Sequence, residues 1–123
     1  MNKIYVEGTL GKDPVFKIVQ TADGEKPVTE FSIATNQREK KNGEWIDGLT
    51  VWYKVSAWGA LAEIAIDQLF KGTKVNISGT FKVVEYTAKD GTIKQSFEIK
   101  ASTAGDISLP LQKAKQPANE LNW

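Results

Sequence analysis

The sequence predicts a single all-β domain that carries one short helix. Several runs of residues alternate apolar and polar side chains, which is the period of a half-buried strand, and turn signals such as Asp23-Gly24 and Asp90-Gly91 separate them. One stretch in the middle of the chain has helical spacing instead. The length of 123 residues favours one domain, which is large enough to bury a core without disulfides.

The alternating runs predict strands over residues 4–10, 15–21, 28–36, 50–58, 73–86 and 93–101. The run at 15–21 is the weakest of them. In the long strand at 73–86, Gly79 is expected to mark a bend or a bulge. Four apolar side chains of that strand are expected to face inward: Val75, Ile77, Phe81 and Val83.

A helix is predicted over residues 59–71, because apolar side chains recur there every three to four residues. Glu63 falls in the first turn and Lys71 in the last, where each charge suits the helix dipole. Gly72 is well placed to cap the end of the helix. The expected apolar stripe consists of Leu61, Ile64, Ala65 and Leu69.

Two segments are predicted to lie outside the regular elements. Residues 38–48 are highly charged and contain the turn signals Asn42-Gly43 and Asp47-Gly48, so we expect an exposed, mobile hairpin loop with Trp45 at its tip. From residue 108 onward the periodicity stops. Residues 108–123 are therefore expected to form a disordered tail.

The order of the clear strands is three strands, the helix, and two more strands. A lone helix inserted after the third strand of a five-stranded antiparallel chain is the arrangement of the OB-fold, a small Greek-key barrel that binds oligonucleotides or oligosaccharides on one strand face. The predicted fold is therefore a five-stranded Greek-key OB-fold barrel with one helix between strands 3 and 4, long hairpin loops and a disordered C-terminal tail. Residues 1–107 form the barrel domain in this interpretation.

The strand at 50–58 presents two tryptophans on its polar side. Successive strand side chains point to opposite faces, so Trp52 and Trp58 share a face with Lys54 and oppose the valines and Tyr53. The two indoles would lie roughly 20 Å apart along a straight strand, which is enough for several stacked nucleotides. The alternative is that both tryptophans are core or subunit-interface residues, as most tryptophans are largely buried.

Composition excludes several classes of function. The chain has no cysteine and no histidine, which removes thiolate metal sites, the usual zinc ligands and the usual general base. The carboxylates are scattered without an obvious pair, so we predict neither an enzyme, nor a metal site, nor a cofactor. The formal net charge is only +1, so anion binding would depend on the local placement of cations.

All but one of the cations, Arg38, are lysines, which favour phosphate contact over the reading of base edges. No apolar run approaches membrane-spanning length, and the first residues enter a strand pattern without a cleavage-like segment. The expected location is therefore the cytoplasm.

Over roughly residues 1–99, the sequence closely resembles the bacterial single-stranded DNA-binding protein (SSB) family. The resemblance rests on several motifs in the right order and at the right spacing: MNKI at 1–4, GTLGKDP at 8–14, FSIAT at 31–35, WYKV at 52–55, WGALAE at 58–63 and KGTKV at 71–75, with Gly79. It implies an OB-fold homotetramer, associated with the nucleoid, that wraps single-stranded DNA without sequence preference in replication, recombination and repair.

The resemblance also assigns residues to the DNA-binding site. Trp52 and Trp58 match the family's two stacking aromatics, and Tyr86 matches a stacking tryptophan at the hairpin of the last two strands. Basic positions of the family are matched by Lys54, Lys82, Lys3 and Lys71. Lys74 and Trp45 are two further candidates, which the strand pattern and the charged loop place on the surface.

Two departures from the family pattern stand out. Where the family often has another stacking tryptophan after Ala34-Thr35, this chain has Glu39, so that platform is either missing or supplied by Trp45. The acidic tail with a hydrophobic tip, through which the family recruits replication and repair proteins, is also absent. Leu121 and Trp123 are the candidates for a divergent tip.

Two rival classes of function remain from the sequence. A small hydrolase that uses Asp or Glu is disfavoured, because histidine and a paired acid motif are lacking. A protein-interaction barrel, such as an OB-fold subunit of a replication complex, would use the same exposed aromatics to bind protein. A salt-insensitive interface would distinguish it from DNA binding, whose affinity falls steeply as salt rises.

Overall fold

The structure is a computed structural model that describes residues 2–103 and 105–109. Most of the segment predicted to be a disordered tail, including Leu121 and Trp123, lies outside the described residues. The elements follow the order β1 (Lys3–Leu10), β2 (Val15–Thr21), β3 (Gly24–Lys41), β4 (Glu44–Trp58), α1 (Ala60–Gln68), β5 (Lys74–Thr87), β6 (Ile93–Ala101) and β7 (Ile107–Ser108).

Five of these strands close into a ring in the order β1-β3-β4-β6-β5, and β5 pairs again with β1. All of the ring pairs are antiparallel except β4 with β6, which is parallel. β2 lies outside the ring as the hairpin partner of β3, and the short β7 pairs with β5. The predicted five-stranded barrel with one helix between its third and fourth strands is confirmed.

The interior of the barrel collects the apolar side of each alternating strand. Ile33, Val55 and Ile77 are fully buried there. α1 closes one end of the barrel by adding Leu61 and Ala65 to the same core. A buried hydrogen bond, in which the Thr29 hydroxyl donates to the carbonyl of Ala62 at 2.6 Å, ties the helix to β3.

The glycine predicted to mark a bend or a bulge in β5 lies where the strand changes partners. Residues 74–80 of β5 pair with β1, and residues 80–87 pair with β6, without a register shift in either ladder. At Gly79 a Cβ atom would collide with the carbonyl oxygen of Lys100. The glycine therefore permits a close approach of two backbones at the corner of the barrel, and no bulge is present.

The helix is shorter than predicted. It ends at Gln68, because Leu69 is already extended, with φ −101° and ψ 147°, and turns its side chain into the core. Gly72, with φ +91°, lies in the turn that follows and does not cap the helix. Ile64 was predicted to belong to the apolar stripe but is half exposed, since its position on α1 faces away from the barrel.

Val75, Ile77 and Phe81 of β5 face inward and are at least partly buried, as predicted. The prediction that Val83 is also buried is wrong. Val83 pairs with Phe97 and so lies on the inner side of the ladder. It is nevertheless 46% exposed, because the β5–β6 hairpin projects beyond the rest of the described barrel at this position.

The prediction of a loop at residues 38–48 is wrong. β3 and β4 stay paired as far as Lys41 and Glu44, and the chain reverses at Asn42-Gly43. We call residues 36–50 the ribbon. Its residues are all exposed, as predicted, but they form a two-stranded antiparallel hairpin.

The second turn signal of that segment, Asp47-Gly48, lies within β4 at an irregularity of the ladder. Asn36 pairs with Thr50, whereas Arg38 pairs with Asp47, so two residues of β4 oppose the single residue Gln37. A Cβ at Gly48 would lie 3.1 Å from the Gln37 carbonyl oxygen. This glycine therefore marks a β-bulge and not a turn.

Near the end of the described chain, Ser108 was predicted to begin the tail but pairs with Asn76 in β7. In residues 2–103 and 105–109, no helix combines the length and the apolar character needed to cross a membrane.

Candidate nucleic-acid interface

Cross-strand pairing places the predicted site residues of β4 on the outer face of the barrel. Residues opposite each other in a ladder present their side chains on the same side. One row runs across four strands as Ser32, Lys54, Glu98 and Lys82, and the next as Glu30, Ser56, Lys100 and Thr80. Trp52 and Trp58 lie on the same face of β4 and flank these two rows, as the alternation predicts.

Trp58 lies half-buried at the end of β4, and two polar neighbours fix its ring. Its indole Nε1–H donates a hydrogen bond to the Ser56 hydroxyl at 3.1 Å. The Nζ atom of Lys100 lies over the ring, 5.0 Å from its centroid, as in a cation–π contact. The ring is thus held in place, and the Lys100 ammonium lies over one of its faces.

Trp52 is 53% exposed and rests against the backbone of Gly11. A Cβ at Gly11 would lie only 2.6 Å from the ring atom Cζ3, so any larger residue there would displace the indole. Gly11 is itself held by a hydrogen bond from its N–H to the Ser32 carbonyl at 3.1 Å. This tryptophan therefore has a fixed support and a wide solvent-facing surface.

A groove of about 330 Å³ runs beside Trp58 on this outer face. It brings together the predicted contacts Lys54 and Lys82, and it adds Lys100. Two carboxylates also border it, of which Glu30 is paired with Lys17 at 3.0 Å. The lining residues are Glu30, Lys54, Ser56, Trp58, Thr80, Lys82, Glu98, Ile99 and Lys100. The groove therefore offers several cations and one aromatic wall to an anionic chain.

Lys3 reaches the same groove from β1. Its Nζ atom lies 3.5 Å from the hydroxyl of Thr80, which lines the groove. Lys71 lies at the other end of the face: its backbone N–H donates to the Asp13 carboxylate at 2.8 Å. That hydrogen bond places Lys71 next to the turn that contains Gly11, where Trp52 rests.

Lys74 is not brought together with these residues. It pairs with Thr9 on the wall formed by β1 and β5. There it lines a separate groove of about 340 Å³ with Glu7 and Asn36. Its position on the surface agrees with the prediction, but it faces a different part of the barrel.

Tyr86 extends the face along the β5–β6 hairpin. It is 48% exposed and pairs with Lys94, and it lies on the same side of β5 as Lys82, roughly 13 Å further along the strand. The turn of this hairpin is fixed by Asp90, whose carboxylate accepts hydrogen bonds from the Thr92 hydroxyl at 2.6 Å and the Thr92 N–H at 3.0 Å. These bonds lower the pKa of the Asp90 carboxyl.

Trp45 lies near the tip of the ribbon, 61% exposed, with the Arg38 guanidinium 5.7 Å from its ring centroid. Seven positions separate it from Trp52, so strict alternation would put the two rings on opposite faces. The bulge at Gly48 adds one residue to β4, and Trp45 pairs with Lys40 on the face that continues from Ala34 and Trp52. Glu39, opposite Ile46, points to the other face.

Sequence reasoning missed Lys100 and Arg38 as members of this surface. The signal for Lys100 was present, because the even positions of residues 93–101 alternate outward as Lys94, Ser96, Glu98 and Lys100. Its contact with Trp58 depends on the parallel pairing of β6 with β4, which the sequence does not reveal. Within the described part of the chain, no cluster of three or more potential metal ligands is found.

Comparison with known proteins agrees with this geometry. A family model described as the single-strand binding protein family matches residues 1–107. Single-stranded DNA-binding protein 2 of Chlorobaculum tepidum is 39% identical over 102 residues, which are 82% of this chain and 67% of that protein. The single-stranded DNA-binding protein of Paenarthrobacter aurescens is 31% identical over 121 residues, 97% of this chain and 68% of that protein.

A third relative, the single-stranded DNA-binding protein of Xanthomonas axonopodis pv. citri, is 34% identical over 83% of this chain, and the match spans 55% of that protein. The matched segments thus span between 55% and 68% of the length of these three relatives.

Two solved structures have the same fold. The small single-stranded DNA-binding protein from Streptomyces coelicolor superposes with a TM-score of 0.73 at 29% identity, covering 89% of this chain and 94% of that one. The Plasmodium falciparum SSB, solved as a complex with single-stranded DNA, gives a TM-score of 0.68 at 25% identity, covering 91% of this chain and 96% of that one.

The family consists of binding proteins, so the prediction that the chain is not an enzyme is confirmed. With a family model that spans the whole barrel and relatives that match most of the chain, this protein belongs to the single-strand binding protein family.

Proposed function

We propose that this protein binds single-stranded DNA without sequence specificity and protects it during replication, recombination and repair. The observation that carries the proposal is the outer face of β4, where an exposed Trp52 and a half-exposed Trp58 flank Lys54. Bases stack on the indoles, and any base has a π face, so the binding tolerates every sequence. The relatives named above are described as single-stranded DNA-binding proteins, and the Plasmodium falciparum SSB was solved with single-stranded DNA.

Phosphates pass along the lysines that border the Trp58 groove. Lys54 and Lys82 contribute from the row between the two indoles, and Lys100 contributes from the row beside Trp58. Lys3 joins the end of that second row, where it pairs with Thr80. Because lysine acts as a point charge, these contacts hold the backbone without reading the bases.

Tyr86 extends the path of the DNA along the β5–β6 hairpin, and Trp45 extends it along the ribbon. Lys71 contributes at the end of the path near Trp52. Trp45 takes the place of the stacking residue that Glu39 cannot supply, because the bulge turns Trp45 and not Glu39 toward the face of Trp52. Lys74 contacts DNA only where the strand continues around the barrel onto the wall of β1 and β5.

The working form of the protein in this proposal is a homotetramer. β1 pairs with β5 from Lys3 to Thr9, but with β3 only at Thr9 and Leu10. The other edge of residues 3–8 therefore offers backbone groups to a strand of a second copy, beside the exposed Tyr5. The barrel of residues 1–107 carries the DNA site, and the protein works in the cytoplasm at the nucleoid.

The experiment that tests the function is a titration of the protein's tryptophan fluorescence with oligo-dT, with a duplex of equal length as the control. Stacking places bases on the indoles, so the single strand should quench the fluorescence and the duplex should not. The titration is repeated at higher salt, where retained counterions should weaken binding.

Two other results would redirect the interpretation. Equal quenching by duplex would contradict single-strand stacking. Absence of both quenching and binding would mean that the face of Trp52 and Trp58 serves protein contacts, as in an interaction subunit of a replication complex. Sedimentation equilibrium of the same sample tests the tetramer, which a monomer mass would rule out.

A further inference from the structure

A patch of apolar side chains lies exposed on α1 and β2, outside the groove that Lys54, Lys82 and Lys100 line. Ile64 and Ile66 on α1 are 50% and 36% exposed, and Phe16 on the neighbouring β2 is 40% exposed. We call these three residues the helix patch. They share one open depression with the carboxylates of Glu63 and Asp67. Exposed apolar side chains that line a common depression often mark a contact surface.

The described chain leads directly to this patch. Ile107 is anchored by its pairing with Ile77 in β5. Leu109 then lies in a groove of about 110 Å³ against α1, and Ile64 and Gln68 line both this groove and the depression that holds the helix patch. The described chain therefore ends, at Leu109, at the border of the helix patch.

The sequence that follows is complementary to the patch in both polarity and charge. Leu111 supplies an apolar side chain, and Lys113 and Lys115 supply positive charges opposite the carboxylates of Glu63 and Asp67. An extended chain from Leu109 to Lys115 spans up to about 20 Å. The nine-residue helix is only about 13 Å long, so both lysines can reach either carboxylate.

We propose that residues 110–115 dock on the helix patch of the same chain. Leu111 covers Ile64, and the two lysines lie beside Glu63 and Asp67. The groove lined by Trp58 and Lys54 shares no residue with the helix patch. The docked segment therefore leaves the proposed DNA face open and keeps two lysines away from it.

Limited digestion of the full chain with trypsin tests this proposal, because the enzyme cleaves after Lys113 and Lys115 themselves. Cleavage at each site is followed by mass spectrometry and compared with a free peptide of residues 108–123. Docking should slow cleavage about three- to tenfold, because proteolysis follows the population of the open form. Cleavage after Lys40 and Lys41, in the ribbon, serves as an internal standard.

The variants Ile64→Ser and Glu63→Gln/Asp67→Asn should restore cleavage toward the rate of the free peptide. All three side chains are exposed, so the fold should survive, which circular dichroism verifies. The matched control is Asp23→Asn/Glu25→Gln, which removes the same charge from exposed positions at the β2–β3 turn. It should leave the cleavage rate unchanged.

Three outcomes would overturn the proposal. The first is cleavage of the wild type as fast as the peptide. The second is a response of the Ile64 and acidic variants that matches the control. The third is protection that increases with protein concentration, since that result would identify a second copy of the chain as the occupant of the helix patch. None of these outcomes bears on the fluorescence titration, so this proposal and the DNA-binding function fail separately.

Discussion

β3 and β4 run side by side through two different environments. In residues 28–35 of β3 and 51–58 of β4 they form part of the barrel wall, and inner residues such as Ile33 and Val55 are fully buried. In the ribbon the same two strands continue with every side chain exposed. The same hydrogen-bonded ladder runs through both halves. They differ because the other strands and α1 cover the inner face of the barrel half, whereas no described residue covers the ribbon.

The alternation of side chains between the two faces has a different consequence in each half. In the wall, a one-residue slip would move the core side chains into solvent, so burial fixes the register. In the ribbon nothing is buried, and the ladder tolerates a bulge at Gly48. That bulge sets the face on which Trp45 lies. An isolated two-stranded hairpin is marginally stable, so the ribbon is expected to open locally while the wall stays closed.

The largest expected effect is the difference in stability between the two halves. Ile33→Ala should lower the free energy of unfolding by about 2–5 kcal/mol, because it leaves a cavity in the core. Ile46→Ala, in the ribbon, should change it by less than about 0.5 kcal/mol, as for an ordinary surface substitution. Urea denaturation followed by circular dichroism measures both. Equal losses for the two variants would mean that the ribbon is packed against something.

The second effect concerns binding at the wall. Trp52→Ala should weaken binding of oligo-dT by about 1–3 kcal/mol, the range measured for one stacked base, while leaving the unfolding midpoint almost unchanged, because the ring is half exposed. Ile18→Ala is the control: Ile18 is equally exposed at 53%, but it is on β2 opposite Pro27 and should not affect binding. If Trp52→Ala unfolds the protein, Trp52 is a core residue.

The two halves also differ in how far the sequence predicts them. For Val55 and Trp52, alternation alone assigns the correct faces, because each strand of the wall has one buried side and one exposed side. In the ribbon, the many charged residues leave no alternation of apolar and polar side chains, so the sequence predicts a loop. Its bulge depends on which residues of β3 and β4 pair, and Asp47-Gly48 looks like any turn signal.

The sequence likewise does not predict contacts between strands that are far apart in the chain. The position of Lys100 over Trp58 requires β6 to lie parallel to β4. The exposure of Ile64 depends on the direction from which α1 meets the barrel, which a helical period does not specify. Alternation therefore reveals which face a residue occupies, whereas neighbours across the sheet require the topology.

The third prediction tests whether the bulge positions Trp45 for binding. Inserting one alanine after Gln37 gives Gly48 and Leu49 a partner each, so the ladder becomes regular and the ribbon turns Trp45 away from the face of Trp52. Binding of a long oligo-dT should weaken by up to about 1 kcal/mol, the lower end of the range for one stacked base. Trp45→Ala should have the same effect.

Deleting Leu49 is the control for this insertion. It also makes the ladder regular, but it does so by removing the extra residue of β4, so Trp45 stays opposite Lys40 on the face of Trp52. Binding should be close to that of the wild type. A loss in both variants would show that the bulge matters for a reason other than the direction of Trp45, and no loss in either would remove Trp45 from the interface.

The smallest expected effect lies within the ribbon itself. Arg38 covers the ring of Trp45 at 5.7 Å and lies 3.7 Å from the Asp47 carboxylate. Exposed contacts of these two kinds contribute at most about 1 kcal/mol each. Arg38→Gln should therefore speed hydrogen exchange of the ribbon amides by about twofold to fivefold, and leave the amides of the wall unchanged, because the ribbon opens without the barrel.

Lys41→Gln removes the same charge from the ribbon at the end of β3, where the residue pairs with Glu44 near the turn, and it should have a smaller effect. Equal acceleration by the two variants would mean that net charge, and not the contact of Arg38 with Trp45, stabilises the ribbon. Acceleration that also reaches Ile33 or Val55 would show that ribbon and wall open together. The two halves of β3 and β4 would then form one cooperative unit despite their difference in burial.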